Sequence, residues 1–236
     1  MSKVRPIGII GAMEVEVEAI LEIAEITDKQ EHASMTLYSV DLKGVPCVVA
    51  QCGEGKVNSA ACAQVMASLY QPRLILNIGV AGGTGPNVHI GDLVIATHCV
   101  QYDHDLTPMG HPLAAVDLPI YGYVTEFPCD RAIAEKLQKA AEKLYGSAHL
   151  GPIATGDKFV ADHTFGAWLN ETFGALACEM EGGSTAHICL MNRIPCAVLR
   201  AISDGANDDS VVDFPSFAKE TAYKAQQLLS AVIGEL

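Results

Sequence analysis

Short aliphatic and β-branched runs alternate along the chain with segments whose apolar positions recur every three or four residues. Residues 4–10 have strand character. Residues 13–25 have helical character, with Val17, Ile20, Leu21 and Ala24 on one face. Two alternating runs, 35–42 and 45–51, flank Lys43-Gly44 and predict a hairpin. An Ala-rich helix is expected over 57–70, then a strand over 74–78 that enters the glycine-rich segment 79–85. Further strands are expected over 92–99, at 153–154, over 175–178 and over 196–202. Helices are expected over 130–145, stopped by Gly146, over 181–191 and over 214–233. Residues 103–129, rich in Pro, Gly and His, are the least regular and predict a long functional loop. Apolar strands interleaved with helices point to an α/β fold with a mostly parallel sheet covered on both faces, which the early hairpin makes mixed. With no repeat, low-complexity stretch or linker, residues 1–236 are expected to form a single domain. Ligands in such folds bind beyond strand carboxyl ends, which singles out 79–85, 179–181 and 203–204.

Composition narrows the function class. With 15 Lys plus Arg against 28 Asp plus Glu, the formal net charge is −13, and half the residues are hydrophobic. An acidic, apolar-rich chain lacks the basic footprint for nucleic acid or an anionic membrane surface, so neither partner is expected. No apolar run reaches the roughly 20 residues of a membrane span, and the first residues do not resemble a signal peptide. A soluble, cytoplasmic, small-molecule protein is expected. The eight cysteines form no Cys-x-x-Cys pair and most lie in apolar stretches, so buried reduced thiols are expected rather than a metal centre or disulfides.

The glycine clusters match no nucleotide-phosphate motif: 8–11 lacks Gly-x-Gly-x-x-Gly, and Gly53-Glu54-Gly55-Lys56 lacks the rest of a P-loop. Tight strand-to-helix turns account for them, and ATP and dinucleotide binding are excluded. Awkwardly placed carboxylates carry more information. Glu14, Glu16 and Glu18 flank the apolar face of the first helix, and helical periodicity does not choose among them. Glu181 follows an apolar segment and precedes two glycines, where it can cap a helix or meet a ligand. Asp204 ends a buried strand run, and period two places it on the same side as Arg200, so a mutual ion pair or a site role is open. His98, His104 and His111, near Asp103 and Asp105, have no metal-ligand spacing, and 207–209 has the composition of a solvated turn. A Ser hydrolase elbow is missing.

Six segments together then resemble one family: residues 7–16 (IGIIGAMEVE), 53–57 (GEGKV), 77–83 (NIGVAGG), 156–160 (GDKFV), 178–181 (CEME) and 200–204 (RAISD). In this order they are similar to the methylthioadenosine/S-adenosylhomocysteine nucleosidases of the purine nucleoside phosphorylase superfamily, over about residues 7–217. The resemblance implies a three-layer α/β/α sandwich on a mixed, partly barrel-like sheet, usually a homodimer. It implies hydrolysis of an adenine–ribosyl bond in methionine salvage, without metal or cofactor. On that likeness Asp204 is the general acid towards adenine N7 and an adenine-selecting group, and Glu16 is the base that activates water. Arg200 helps hold that water, and Glu181 grips the ribose hydroxyls. Met180 packs under the ribose and Phe159 on the purine face, the Val160 backbone reads the adenine edge, Gly82 allows close approach and Phe214 covers the 5′ substituent. Met13, Glu179 and Ser203 are further expected substrate contacts.

The chain also departs from the family pattern. Val80 stands where the family has a water-positioning Ser, a loss on the order of 1 kcal/mol. Glu54 replaces an apolar residue on the 5′ side and is expected either to turn to solvent or to bond a polar 5′ group, and Leu106 lies in a segment that differs from the common 5′ lining. A phosphate-using phosphorylase and a non-catalytic adenine-nucleoside binder of the same fold are the rival expectations.

Overall fold

The computed structural model describes residues 4–206 and 210–236, apart from the side chains at 211–216, 218 and 221. The central sheet begins with β1 (Ile7–Gly11), whose residues are all buried. It is flanked in parallel by β4 (Val45–Gln51) and β5 (Leu74–Gly83), as expected for strands covered on both faces. β3 (Met35–Leu42) and β4 form the expected hairpin, and Lys43 and Gly44 both take positive φ as a two-residue turn requires. β12 (Cys196–Asp204) runs parallel to β5 on one side and antiparallel to β6 (Leu93–Gln101) on the other. β10 (His149–Thr155) follows β6, and β11 (Ala177–Glu179) follows β10. β11 also pairs antiparallel with the end of β5, so the strands β11, β10, β6, β12 and β5 close on themselves. That closure is the expected partly barrel-like sheet.

Helices cover both faces. α2 (Lys56–Tyr70) and α5 (Gly182–Asn192) contribute Cys62, Met66, Ala186 and Cys189 to one core with Ile10, Val48, Ile75 and Val198. α1 (Glu14–Leu21), α3 (Arg131–Tyr145) and α6 (Ser210–Val232) contribute Val17, Ile20, Leu137 and Leu228 to the opposite core with Ile9, Leu76 and Leu199. A smaller cluster packs α4 (His163–Phe173) through Leu169 against Tyr102, Val160 and Ala206. The eight cysteines are free and buried. Among the described residues no helix is long and apolar enough to cross a membrane.

Four differences from the sequence reading have physical causes. The first helix ends at Leu21, and Glu25 opens an unforeseen strand, β2 (Glu25–His32), which is exposed at every position. An edge strand that lies exposed against β3 has no buried face and hence no hydrophobic alternation to detect. The glycine-rich segment does not end β5: pairing of Gly79 with Arg200 and of Val80 with Ala201 carries the strand on to Gly83. α4 was not foreseen, although Asp162 caps it and Gly174 ends it, because Gly166 and polar residues interrupt its apolar stripe. The irregular segment 103–129 holds two short strands, β7 (Val116–Leu118) and β8 (Gly122–Val124), and the two-residue β9 (Phe127–Pro128).

Asp130 opens α3 by accepting the Ile133 amide at 3.1 Å, while its own amide donates to the Cys196 carbonyl at 2.7 Å. Asp130→Ala removes the side-chain cap and leaves the main-chain bond, so a loss of about 1 kcal/mol is expected in urea unfolding.

Candidate functional site

The strand ends converge because two of them pair with the same residue. Gly82 of β5 faces Asp204 on β12 and Cys178 on β11, which brings the Glu179–Met180–Glu181 turn beside Asp204. A cavity of about 260 Å³ opens there. Its wall includes Met13, Glu16, Glu54, Val80, Gly82, Phe159, Val160, Glu179, Met180, Glu181, Ser203 and Asp204. Arg200 is buried and is not on that wall. Leu106 is half-buried in the segment after β6, also away from the cavity wall. The Phe214 side chain lies outside the described residues, as do Asn207, Asp208 and Asp209.

Folding chooses among the three acids of α1. Glu14 and Glu18 are exposed, while Glu16 is 3% exposed. Glu16 Oε2 accepts the amides of Ala12 at 2.7 Å and Met13 at 3.0 Å, which caps the start of its own helix. Its other oxygen accepts the Val80 amide at 3.0 Å. Burial raises the Glu16 pKa above the usual carboxylate range, although those amides and Arg200 pull it down. The close fit depends on glycine, since a Cβ at Gly79 would stand 2.7 Å from Glu16 Oε1.

Asp204 is 3% exposed and accepts from Ser203 Oγ at 3.0 Å and from the Ala206 amide at 2.9 Å. A bulge falls between Ile202, opposite Ala81, and Asp204, opposite Gly82. The extra residue breaks the period-two alternation, so the expected common side for Arg200 and Asp204 does not hold. Arg200 instead bonds Glu179 and the Asn77 side chain, with Glu181 Oε2 3.9 Å away. The mutual ion pair between Arg200 and Asp204 is therefore not formed.

Glu179 is held on every side. One oxygen accepts from Thr155, and the other meets Arg200 and the amides of Glu181 at 2.9 Å and Gly182 at 2.6 Å. It is thus Glu179, not Glu181, that satisfies the start of α5. Glu181 occupies the first position outside the helix but makes no side-chain cap. Its Oε1 accepts the Gly55 amide at 2.8 Å. Burial first, then the neighbouring charge of Glu179, pushes the Glu181 pKa up to about 7.

The remaining candidates separate. His98 stands 3.9 Å from Glu126, and His111 stacks on Tyr123. Among the described residues no three His, Cys, Asp or Glu side chains are gathered as metal ligands. Asn77 and Thr155 were assigned no role from sequence. Asn77 had a visible signal, a lone amide inside the apolar strand run 74–78. Thr155 had none beyond adjacency to the 156–160 motif.

Known proteins resemble this chain over nearly its whole length. The family model described as the phosphorylase superfamily matches residues 6–234. An aminodeoxyfutalosine nucleosidase of Campylobacter jejuni is 39% identical over 216 residues, covering 92% of this chain and 93% of the relative. A 5′-methylthioadenosine/S-adenosylhomocysteine nucleosidase of Anoxybacillus flavithermus is 34% identical, covering 98% of both. The crystal structure of the Helicobacter pylori 5′-methylthioadenosine/S-adenosylhomocysteine nucleosidase superposes with a TM-score of 0.93 at 30% identity over the full length of both chains. The chain belongs to the phosphorylase superfamily and, within it, to the family of these nucleosidases.

Proposed function

We propose that the protein hydrolyses the N-glycosidic bond of a 5′-modified adenine nucleoside, 5′-methylthioadenosine or S-adenosylhomocysteine, to adenine and the 5-substituted ribose. The observation that carries this is the pair of buried carboxylates, Glu16 and Asp204, on the wall of one cavity. Cleaving the bond leaves positive charge on the sugar and negative charge on the base. Glu16 takes a proton from the attacking water as the water oxygen bonds C1′. The C1′–N9 electron pair passes into the purine, and Asp204 delivers the proton to N7. Burial makes Glu16 a stronger base than an ordinary carboxylate. Glu181 binds the ribose hydroxyls, and its negative charge favours an oxocarbenium-like sugar when it is ionised. Met180 and Phe159 pack on ribose and purine, and the Val160 backbone reads the base edge. Glu179 acts by positioning Arg200 and α5, since its oxygens are already engaged.

A phosphorylase reading is not favoured. The Val80 amide, the natural donor to an anionic nucleophile at this strand end, is already bonded to Glu16, and the Val80 side chain offers no donor. The preferred 5′ substituent turns on Glu54, which is exposed on the cavity wall. Its carboxylate there, together with the identity to an aminodeoxyfutalosine nucleosidase, supports a polar 5′ tail as the second reading. The eight buried free thiols support a reducing, cytoplasmic setting. A homodimer is expected from the family resemblance, with exposed Val57, Leu69 and Met191 on α2 and α5 as candidate contacts.

Adenine release in phosphate-free buffer is the direct test, and Asp204→Asn and Glu16→Gln are each expected to lower kcat at least about 100-fold with the fold intact by circular dichroism. Near-normal turnover in either variant removes that residue's role. In a panel of methylthioadenosine, S-adenosylhomocysteine, adenosine and aminodeoxyfutalosine, Glu54→Ile should shift preference towards the thioether. An unchanged ranking dismisses the role of Glu54. Glu181 gives a separate pH signature. Its folded pKa of about 7 lies above its ordinary 4.5, so its contribution to stability is full below pH 4.5 and is lost as pH rises to 7. Across that window the wild-type Tm is expected to fall relative to that of Glu181→Gln, and parallel curves would contradict the shift.

A further inference from the structure

Three loops meet at the cavity mouth through a closed set of bonds that the chemistry above does not use. Lys56 Nζ pairs with Asp103 Oδ1 at 2.5 Å, and the two side chains are only 19% and 29% exposed. The other oxygen of Asp103 accepts the Asp157 amide at 2.9 Å. Asp157 Oδ1 in turn accepts the Lys56 amide at 2.7 Å, which completes a ring. The ring ties the start of α2, the segment after β6 and the segment after β10. Each has a stake in the site: Gly55, adjacent to Lys56, donates to Glu181, and Phe159 and Val160 follow Asp157 on the cavity wall. The fit is close enough to require glycine beside it. Gly55 has φ +93°, and a Cβ there would lie 2.9 Å from Asp157 Oδ1.

We infer that Lys56, Asp103 and Asp157 form a clasp that fixes the nucleobase-holding loop against the ribose-holding loop, making them positioning residues for base recognition. This rests on the nucleosidase reading proposed above. Without the Lys56–Asp103 bond, the segment leading to Phe159 and Val160 is tied less firmly to the segment that donates to Glu181, although Val160 keeps its packing against Leu169 and Tyr102. The base is then held less tightly, while Glu16 and Asp204, anchored by β1, β5 and β12, are undisturbed. The effect therefore belongs in KM and not in kcat. A single ion pair at the rim of the cavity contributes little to global stability, which separates positioning from mere scaffolding.

Lys56→Met removes the ammonium and keeps the Lys56 amide that bonds Asp157. KM for the nucleoside is expected to rise about tenfold with kcat within about twofold, and Lys56→Arg should recover most of the loss. Hydrogen exchange at amides 157–160 should quicken by a similar factor in Lys56→Met. If that variant does not fold, Asp103→Asn takes its place with the same expectations. Unchanged KM, a loss confined to kcat, or a KM rise without faster exchange at 157–160 each overturns the clasp. A wild-type chain that releases no adenine from any nucleoside defeats the proposed function. In that event the clasp stands or falls on the exchange rates alone.

Discussion

The buried guanidinium of Arg200 is the constraint from which the site follows. It is 1% exposed, so it must be matched by charge and hydrogen bonds inside the protein. Glu179 meets it directly, Glu181 lies at 3.9 Å, and the Asn77 side chain takes a further bond. Because Glu179 also receives the first amides of α5, the cation fixes the helix start, and the helix start fixes Glu181. One cation among three carboxylates, Glu16 included, leaves an excess of negative charge. Glu181 absorbs part of it by holding its proton to about pH 7. Arg200 thus acts less as a contact for substrate than as the post to which the carboxylates are tied.

The glycines serve those carboxylates. At Gly79 a Cβ would collide with Glu16 Oε1, and at Gly82 it would stand 2.8 Å from Asp204 Oδ1. Two acids from different elements can therefore lie against the same strand, β5, only where it has no side chains. The same residues extend β5 into a continuous pairing with β12 and β11, so they are neither a loop nor a phosphate cradle. Loss of nucleotide-phosphate motifs in the sequence and presence of many glycines are two sides of one arrangement.

Legibility in the sequence followed how local the determining physics was. The hairpin at Lys43-Gly44 and the helix stopped by Gly146 depend on nearest neighbours and were plain. β2 was not, because a strand without a buried face leaves no periodic trace. The choice of Glu16 over Glu14 and Glu18 needs the Val80 amide from another strand, and periodicity along α1 cannot supply it. The common side expected for Arg200 and Asp204 failed for a similar reason: alternation along β12 holds only until the bulge before Asp204. The six segments that resemble the family did mark these positions, though a marked position says nothing of which neighbour a side chain takes.

The balance of charge also bears on the identity of the nucleophile. A phosphate anion entering this cavity would face Glu16 and Glu179 on the wall, with Glu181 adding its charge as pH rises through about 7. Of the cations nearby, Arg200 is committed to Glu179 and Asn77, while Lys158 on the wall lies over the ring of Phe165, 4.2 Å from its centroid. Like charges in a partly desolvated cavity repel more strongly than in water. Neutral water escapes that penalty, and the same excess of negative charge favours a sugar that becomes cationic as the base departs. One electrostatic arrangement therefore selects the attacking species and stabilises the state it attacks.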